Sequence, residues 1–133
     1  MDEISVYIET EINPTESEEK VKQAIKNIFG NVETKIQPIY EGAILTAQAK
    51  GIETLTKLQN LLRRERIRDA ARKALSEGLN GKTISFCLNK QVAYAGHISF
   101  SKEKAESPLG PIKIKIQYEN SRELVKWLTR KTV

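Results

Sequence analysis

Residues 51–78 read GIETLTKLQNLLRRERIRDAARKALSEG. Ile52, Leu55, Leu58 and Leu62 recur at helical spacing and form one apolar stripe. Ile67, Ala70, Ala71, Ala74 and Leu75 form a second. The two stripes do not share a phase. After Leu62 the next stripe position falls at 65 or 66, where the chain has Glu65 and Arg66. The pattern resumes at Ile67, a rotation of ~100° about the helix axis. A single straight helix here would run ~40 Å, whereas a one-domain chain of this size has a radius of gyration of only ~14 Å. The spacing therefore predicts two helical pieces that meet between Arg63 and Arg66. Such a bend either presents arginines outward or only follows the core round a corner.

Upstream, Ile4, Val6 and Ile8 alternate with Ser5, Tyr7 and Glu9, the pattern of a half-buried strand. Asn13-Pro14 ends it. Thr15-Glu16-Ser17-Glu18 resembles a capping box, Thr15 bonding forward and Glu18 back. Val21, Ala24, Ile25, Ile28 and Phe29 then mark an amphipathic helix closed by Gly30. Asn31 to Tyr40 reads as a strand with Pro38 near its end, which suits an edge or a bulge. Glu41-Gly42 turns the chain into a returning strand, Ala43 to Ala49.

Downstream, Ile84, Phe86 and Leu88 alternate with Ser85, Cys87 and Asn89, as Val92, Tyr94, Ile98 and Phe100 do with Ala93, Ala95, His97 and Ser99. Asn89-Lys90-Gln91 lies between them as the tip of a second predicted hairpin. On that reading Tyr94 and Phe100 belong to the core, and Cys87 and His97 fall on the smaller, more polar face. Ser101 to Ser107 reads as a polar loop and Pro108-Leu109-Gly110-Pro111 as a stiff turn. Ile112, Ile114 and Ile116 alternate with Lys113, Lys115 and Gln117, a strand with a basic outer face. Asn120 or Ser121 caps a last helix holding Leu124, Val125, Trp127 and Leu128, and the tail from Arg130 frays. The expected fold is α+β in one domain, 1–133: a mostly antiparallel sheet covered by helices on one face, in the order β-α-β-β-α(α)-β-β-β-α.

Composition narrows the function. The 133 residues carry 22 Lys+Arg against 17 Asp+Glu, one cysteine and one histidine. A zinc site would need about four Cys, His or carboxylate ligands at characteristic spacing. Glycine-rich phosphate loops and the nucleophile elbow are absent, so no catalytic residue, cofactor or metal is expected. No apolar run approaches the ~18 residues of a membrane span. The acidic start, Met1-Asp2-Glu3, is unlike a secretory leader, and the expected location is cytoplasmic.

The charge is uneven. Seven acidic residues precede the first lysine, Lys20, whereas Lys57, Arg63, Arg64, Arg66, Arg68, Arg72 and Lys73 crowd into 17 residues with only Glu65 and Asp69 against them. Arg64, Arg68 and Arg72 stand at i, i+4 and i+8, where like charges repel by a few tenths of a kcal/mol per pair. A phosphate backbone would relieve that repulsion, and guanidinium groups fork onto phosphates and stack on unpaired bases. The bland alternative is a solvated helix face, with Glu65 and Asp69 pairing to Arg68, Arg72 and Lys73. Lys90 and Gln91, at the expected hairpin tip, complete the candidate nucleic-acid contacts.

The run Leu88-Asn89-Lys90-Gln91 with Ala93 and Gly96, the run Pro108-Leu109-Gly110-Pro111-Ile112, and the segment from Leu61 to Arg72 resemble a family of small archaeal proteins classed as RNA-binding. The resemblance covers nearly the whole chain. It implies RNA as the partner and a fold like that of the large-subunit ribosomal protein that binds five-S RNA, and it carries no established binding residue with it. The expectation is a non-enzymatic RNA-binding protein using the basic helical segment. The alternative is a protein-interaction module, in which the basic face docks an acidic partner or an open sheet edge, such as the Pro38 strand, pairs with a second copy as a homodimer.

Overall fold

Alternation of apolar and polar residues builds a seven-stranded sheet in the computed structural model, which describes residues 3–101 and 110–130. The elements run β1 (Ser5–Ile12), α1 (Glu18–Phe29), β2 (Thr34–Pro38), β3 (Ala43–Lys50), α2 (Glu53–Arg64), α3 (Arg68–Glu77), β4 (Leu79–Asn80), β5 (Thr83–Asn89), α4 (Lys90–Tyr94), β6 (Phe100–Ser101), β7 (Pro111–Gln117) and α5 (Ser121–Leu128). The strand order is β2-β3-β1-β7-β5-β4, with β6 also paired to β5, and every pairing is antiparallel. The α+β class and the order of the main strands and helices are those expected from the sequence, with two short elements added, the two-residue β4 and the five-residue α4.

Register fixes which face is covered. Ile8 lies opposite Ala47 and Ile114, and Ile114 opposite Phe86. These residues are buried with Val6, Ile84, Ile112 and Ile116 beneath the helices. The alternate residues Tyr7, Glu9, Lys113, Lys115, Thr46 and Gln48 are exposed. A one-residue slip would exchange the two sets. Pro38 ends β2, the outer strand of the sheet, where its missing N–H leaves no ladder bond unmade.

The helices meet the sheet through aliphatic stripes. Leu55, Leu58 and Leu62 of α2 and Leu75 of α3 are almost wholly buried; truncating any of them to alanine would cost about 2–5 kcal/mol. Gln59 of α2 is buried and donates from Nε2 to the Trp127 carbonyl of α5 at 2.7 Å. Thr10 Oγ1 donates to the Pro111 carbonyl at 3.0 Å.

Three local expectations change. The α1 cap is Ser17, whose Oγ accepts from the Lys20 N–H at 3.4 Å, not Thr15 with Glu18. Glu16 closes the preceding turn instead, accepting from the Asn13 backbone and side-chain amides at 2.9 and 2.7 Å. The second arm of the predicted hairpin begins as a short helix, α4, and runs on through a turn. Asn89 Oδ1 accepts from the Val92 N–H at 3.0 Å and caps α4, and Asn27 of α1 donates to the Ala93 and Tyr94 carbonyls at its end. Tyr94 is consequently exposed rather than core, with Lys20 Nζ 5.7 Å from its ring centroid. Only Phe100–Ser101 returns as strand, so Ser101 is not loop. The rest of the polar loop, Pro108-Leu109 and the tail beyond Arg130 lie outside the described residues.

Candidate nucleic-acid interface

The break between α2 and α3 falls where the apolar phase slips. The Arg66 N–H donates to the Arg63 carbonyl at 3.2 Å, and the Ile67 N–H to the Leu62 carbonyl at 3.4 Å. These two bonds are those of a Schellman ending, in which the residue after the cap turns left-handed. That residue is Arg66, with φ 56°. Glycine is the usual occupant; a residue with a Cβ sits there at a cost of ~1–2 kcal/mol. Ile67 packs back on the core, as the motif's apolar contact requires. Ile67 also precedes α3, which has no side-chain cap on its first turn.

Glu65 holds the joint from the other side. Its carboxylate accepts from the Ile98 N–H at 3.1 Å and lies 2.8 Å from His97 Nδ1. It thereby faces the α4–β6 connection and does not neutralise the neighbouring arginines, as the solvated-face reading had it.

The expected basic stripe is divided by the bend. Lys57 Nζ donates to the Lys26 carbonyl at the end of α1, 3.0 Å away. Arg64 Nη2 reaches the Gly96 carbonyl at 3.4 Å. Arg72 donates from Nε to Thr129 Oγ1 at 3.3 Å and from Nη2 to the Thr129 carbonyl at 3.5 Å, at the end of α5. Cations so placed complement the partial negative charge of helix C-termini. Arg63, Arg66 and Arg68, which do not share a helix sector, instead converge with Asp69 around one groove of about 270 Å³. Arg63 Nε is buried with no hydrogen-bond partner among the described residues. Lys73 is exposed on α3.

The remaining two candidates separate. Lys90 does not stand at a hairpin tip: it is 3% exposed, and its Nζ donates to the Glu11 carbonyl at 2.6 Å and to Glu16 Oε1 at 2.9 Å. It ties α4 to the end of β1 and the turn before α1, and cannot reach a phosphate. Gln91 is exposed on α4.

The groove is thus built from three arginines with a polar atom left unsatisfied, while its flanks are tied down by cations that cap neighbouring helices. No group of metal-ligating side chains occurs among the described residues, and no helix there is long and apolar enough to cross a membrane.

Comparisons with known proteins agree with this architecture. A family model described as RNA binding matches residues 5–118. A UPF0201 protein of Sulfurisphaera tokodaii is 46% identical over 127 residues, covering 96% of this chain and 88% of that one. A UPF0201 protein of Saccharolobus solfataricus is 41% identical over 131 residues, covering 97% and 89%. The crystal structure of the UPF0201 protein from Methanococcus jannaschii superimposes with a TM-score of 0.85 at 32% identity, covering 94% of this chain and 98% of that one. A protein from Archaeglobus fulgidus shares the fold at 19% identity, with a TM-score of 0.70 over 94% and 96% of the two chains. With its sheet order, its helix joint and these relatives in view, the chain belongs to the UPF0201 family of archaeal proteins, within the family described as RNA binding.

Proposed function

We propose that the protein binds RNA without catalysis, and that the α2–α3 joint is its phosphate-contacting surface. The observation that carries this reading is the convergence of Arg63, Arg66 and Arg68 on one groove. Guanidinium groups gathered round one groove can fork onto a phosphate, and charge-assisted bonds of this kind are roughly twice as strong as neutral ones. Arg66 in a left-handed slot adds support, since backbone strain of this sort persists where a side chain must be aimed. The family match supplies RNA as the polyanion. A fold like that of the ribosomal five-S RNA-binding protein, which the family resemblance implies, would make a structured RNA the natural ligand. The test is fluorescence anisotropy of a labelled structured RNA, titrated with wild type and with Arg66→Glu/Arg68→Glu across a range of salt concentrations.

A further inference from the structure

Among the described residues the second face of the sheet is bare. Helices cover one side only, and on the other Tyr7 stands near the middle of β1, which lies between β3 and β7. Tyr7 is directly opposite Gln48 on one neighbour and Lys115 on the other. One residue pair further along in each direction lie Lys50, opposite Ser5, and Lys113, opposite Glu9. Lys35 of β2, opposite Thr46, completes the set. Side chains directly opposite on a sheet are ~5 Å apart and diagonal ones ~7–8 Å, so three lysines surround the ring within reach of a single nucleotide. All of these residues but Ser5 line a shallow hollow of about 710 Å³, within the ~300–1,000 Å³ span of small-ligand clefts.

Polar outer faces are ordinary in sheets, and lysines alone would mean little. The combination here is different. Four lysines border the hollow against two carboxylates, Glu9 and Glu33, and an exposed aromatic ring occupies the centre instead of an edge. A second copy of the chain stacked on this face would bring lysines against lysines. A polyanion with flat bases fits it better. A ring on a sheet can stack only on a base already released from a helix, and A-form duplexes offer no such base.

We propose that this face takes single-stranded RNA, one base stacking on Tyr7 and the adjoining phosphates lying on Lys50, Lys113 and Lys115. The inference takes its ligand class from the RNA-binding reading but shares none of its residues with the arginine groove.

The test is anisotropy with a labelled ten-nucleotide oligouridylate and, separately, a blunt RNA duplex. The proteins are wild type, Tyr7→Ala, Tyr7→Phe, Lys50→Ala/Lys115→Ala and Arg66→Glu/Arg68→Glu, each confirmed folded by circular dichroism. Tyr7→Ala should weaken the oligouridylate about tenfold while Tyr7→Phe keeps the affinity. The lysine pair should flatten the log–log salt slope by about 1.4. Duplex binding should be unchanged by either. Oligouridylate affinity that is the same for wild type, Tyr7→Ala and the lysine pair overturns the inference, as does a Tyr7→Ala change in molecular mass by light scattering with no change in RNA affinity. If duplex binding then still depends on Arg66 and Arg68, the groove reading stands alone; if wild type binds neither RNA, both readings fall.

Discussion

Lys90 Nζ lies 2.9 Å from Glu16 Oε1, with the two side chains only 4% and 11% exposed. The same ammonium donates to the Glu11 carbonyl, so one cation links the end of β1, the turn before α1 and the start of α4. Removing one partner of a buried pair leaves the other charge stranded, which costs about 3–5 kcal/mol. Lys90→Met is therefore expected to lower stability by about 3 kcal/mol in urea unfolding. Lysine substitutions on the open surface, such as Lys73→Met, should stay within about 0.5 kcal/mol.

The same pair sets an acid limit. Burial works against the Glu16 charge, but the Asn13 N–H, the Lys90 ammonium and the Asn13 side chain together outweigh it and hold the carboxyl below its ordinary value of 4.5. A carboxylate with a depressed folded pKa contributes stability above its unfolded pKa and loses it as pH falls through the folded value. Thermal melts should therefore show wild type losing stability below about pH 4.5. Glu16→Gln should be less stable at neutral pH and lose less on acidification; parallel curves for the two proteins would contradict the assignment.

Arg66 occupies a left-handed position that glycine fills without strain. Relief of ~1–2 kcal/mol of strain, less the ~0.5–1 kcal/mol of extra freedom glycine loses on folding, leaves Arg66→Gly expected to stabilise the chain by about 0.5–1 kcal/mol, raising the melting temperature by a few degrees, while weakening RNA binding. A gain in stability coupled to a loss of affinity would place the strain at the binding surface. Equal affinity for the two proteins would mean that Arg66 only turns the chain.

Arg72 and Arg68 are both exposed or half-exposed on α3, but they do different work. Arg72 caps α5 through Thr129, and Arg68 borders the groove. Arg72→Ala should cost about 1 kcal/mol of stability and leave the salt slope of RNA binding nearly unchanged. Arg68→Ala should do the reverse, reducing the slope by about 0.7–0.9.

Gly78 ends α3 with its carbonyl accepting from the Ser85 N–H at 2.9 Å. A Cβ there would meet the Ser85 carbonyl oxygen at 1.7 Å, a backbone atom that cannot step aside. Gly78→Ala should separate α3 from β5 and destabilise by more than about 3 kcal/mol, which chemical unfolding would register directly.

Much of the fold could be read because its signals are local. The break after Leu62 was legible from a single slip in apolar phase, and α1 and β7 from unbroken periodicities. The segment after Asn89 was misread because Val92, Tyr94, Ile98 and Phe100 satisfy a two-residue period, while a five-residue helix offers too few turns to show its own. Asn89 was the available clue, as an N-cap. Lys90 reads from the sequence as an exposed hairpin-tip residue because its partners lie 74 and 79 residues away, and a buried lysine has no mark of its own in sequence. The arginine cluster was found as a run, but Lys57, Arg64 and Arg72 became caps of elements whose positions only the packing determines. The Tyr7 face was half visible, in the basic outer side of Lys113 and Lys115; the register that brings Tyr7 between β3 and β7 was not.

Whether the groove holds phosphates is read from the salt dependence of RNA affinity for wild type against Arg66→Glu/Arg68→Glu. Three phosphate contacts at the groove give a log–log slope of about −2, a drop of about fifteenfold between 50 and 200 mM salt. Wild type is expected to show at least that slope and the double variant to lose most of it together with its affinity, with no loss of melting temperature. Identical, salt-insensitive binding by both proteins would contradict it.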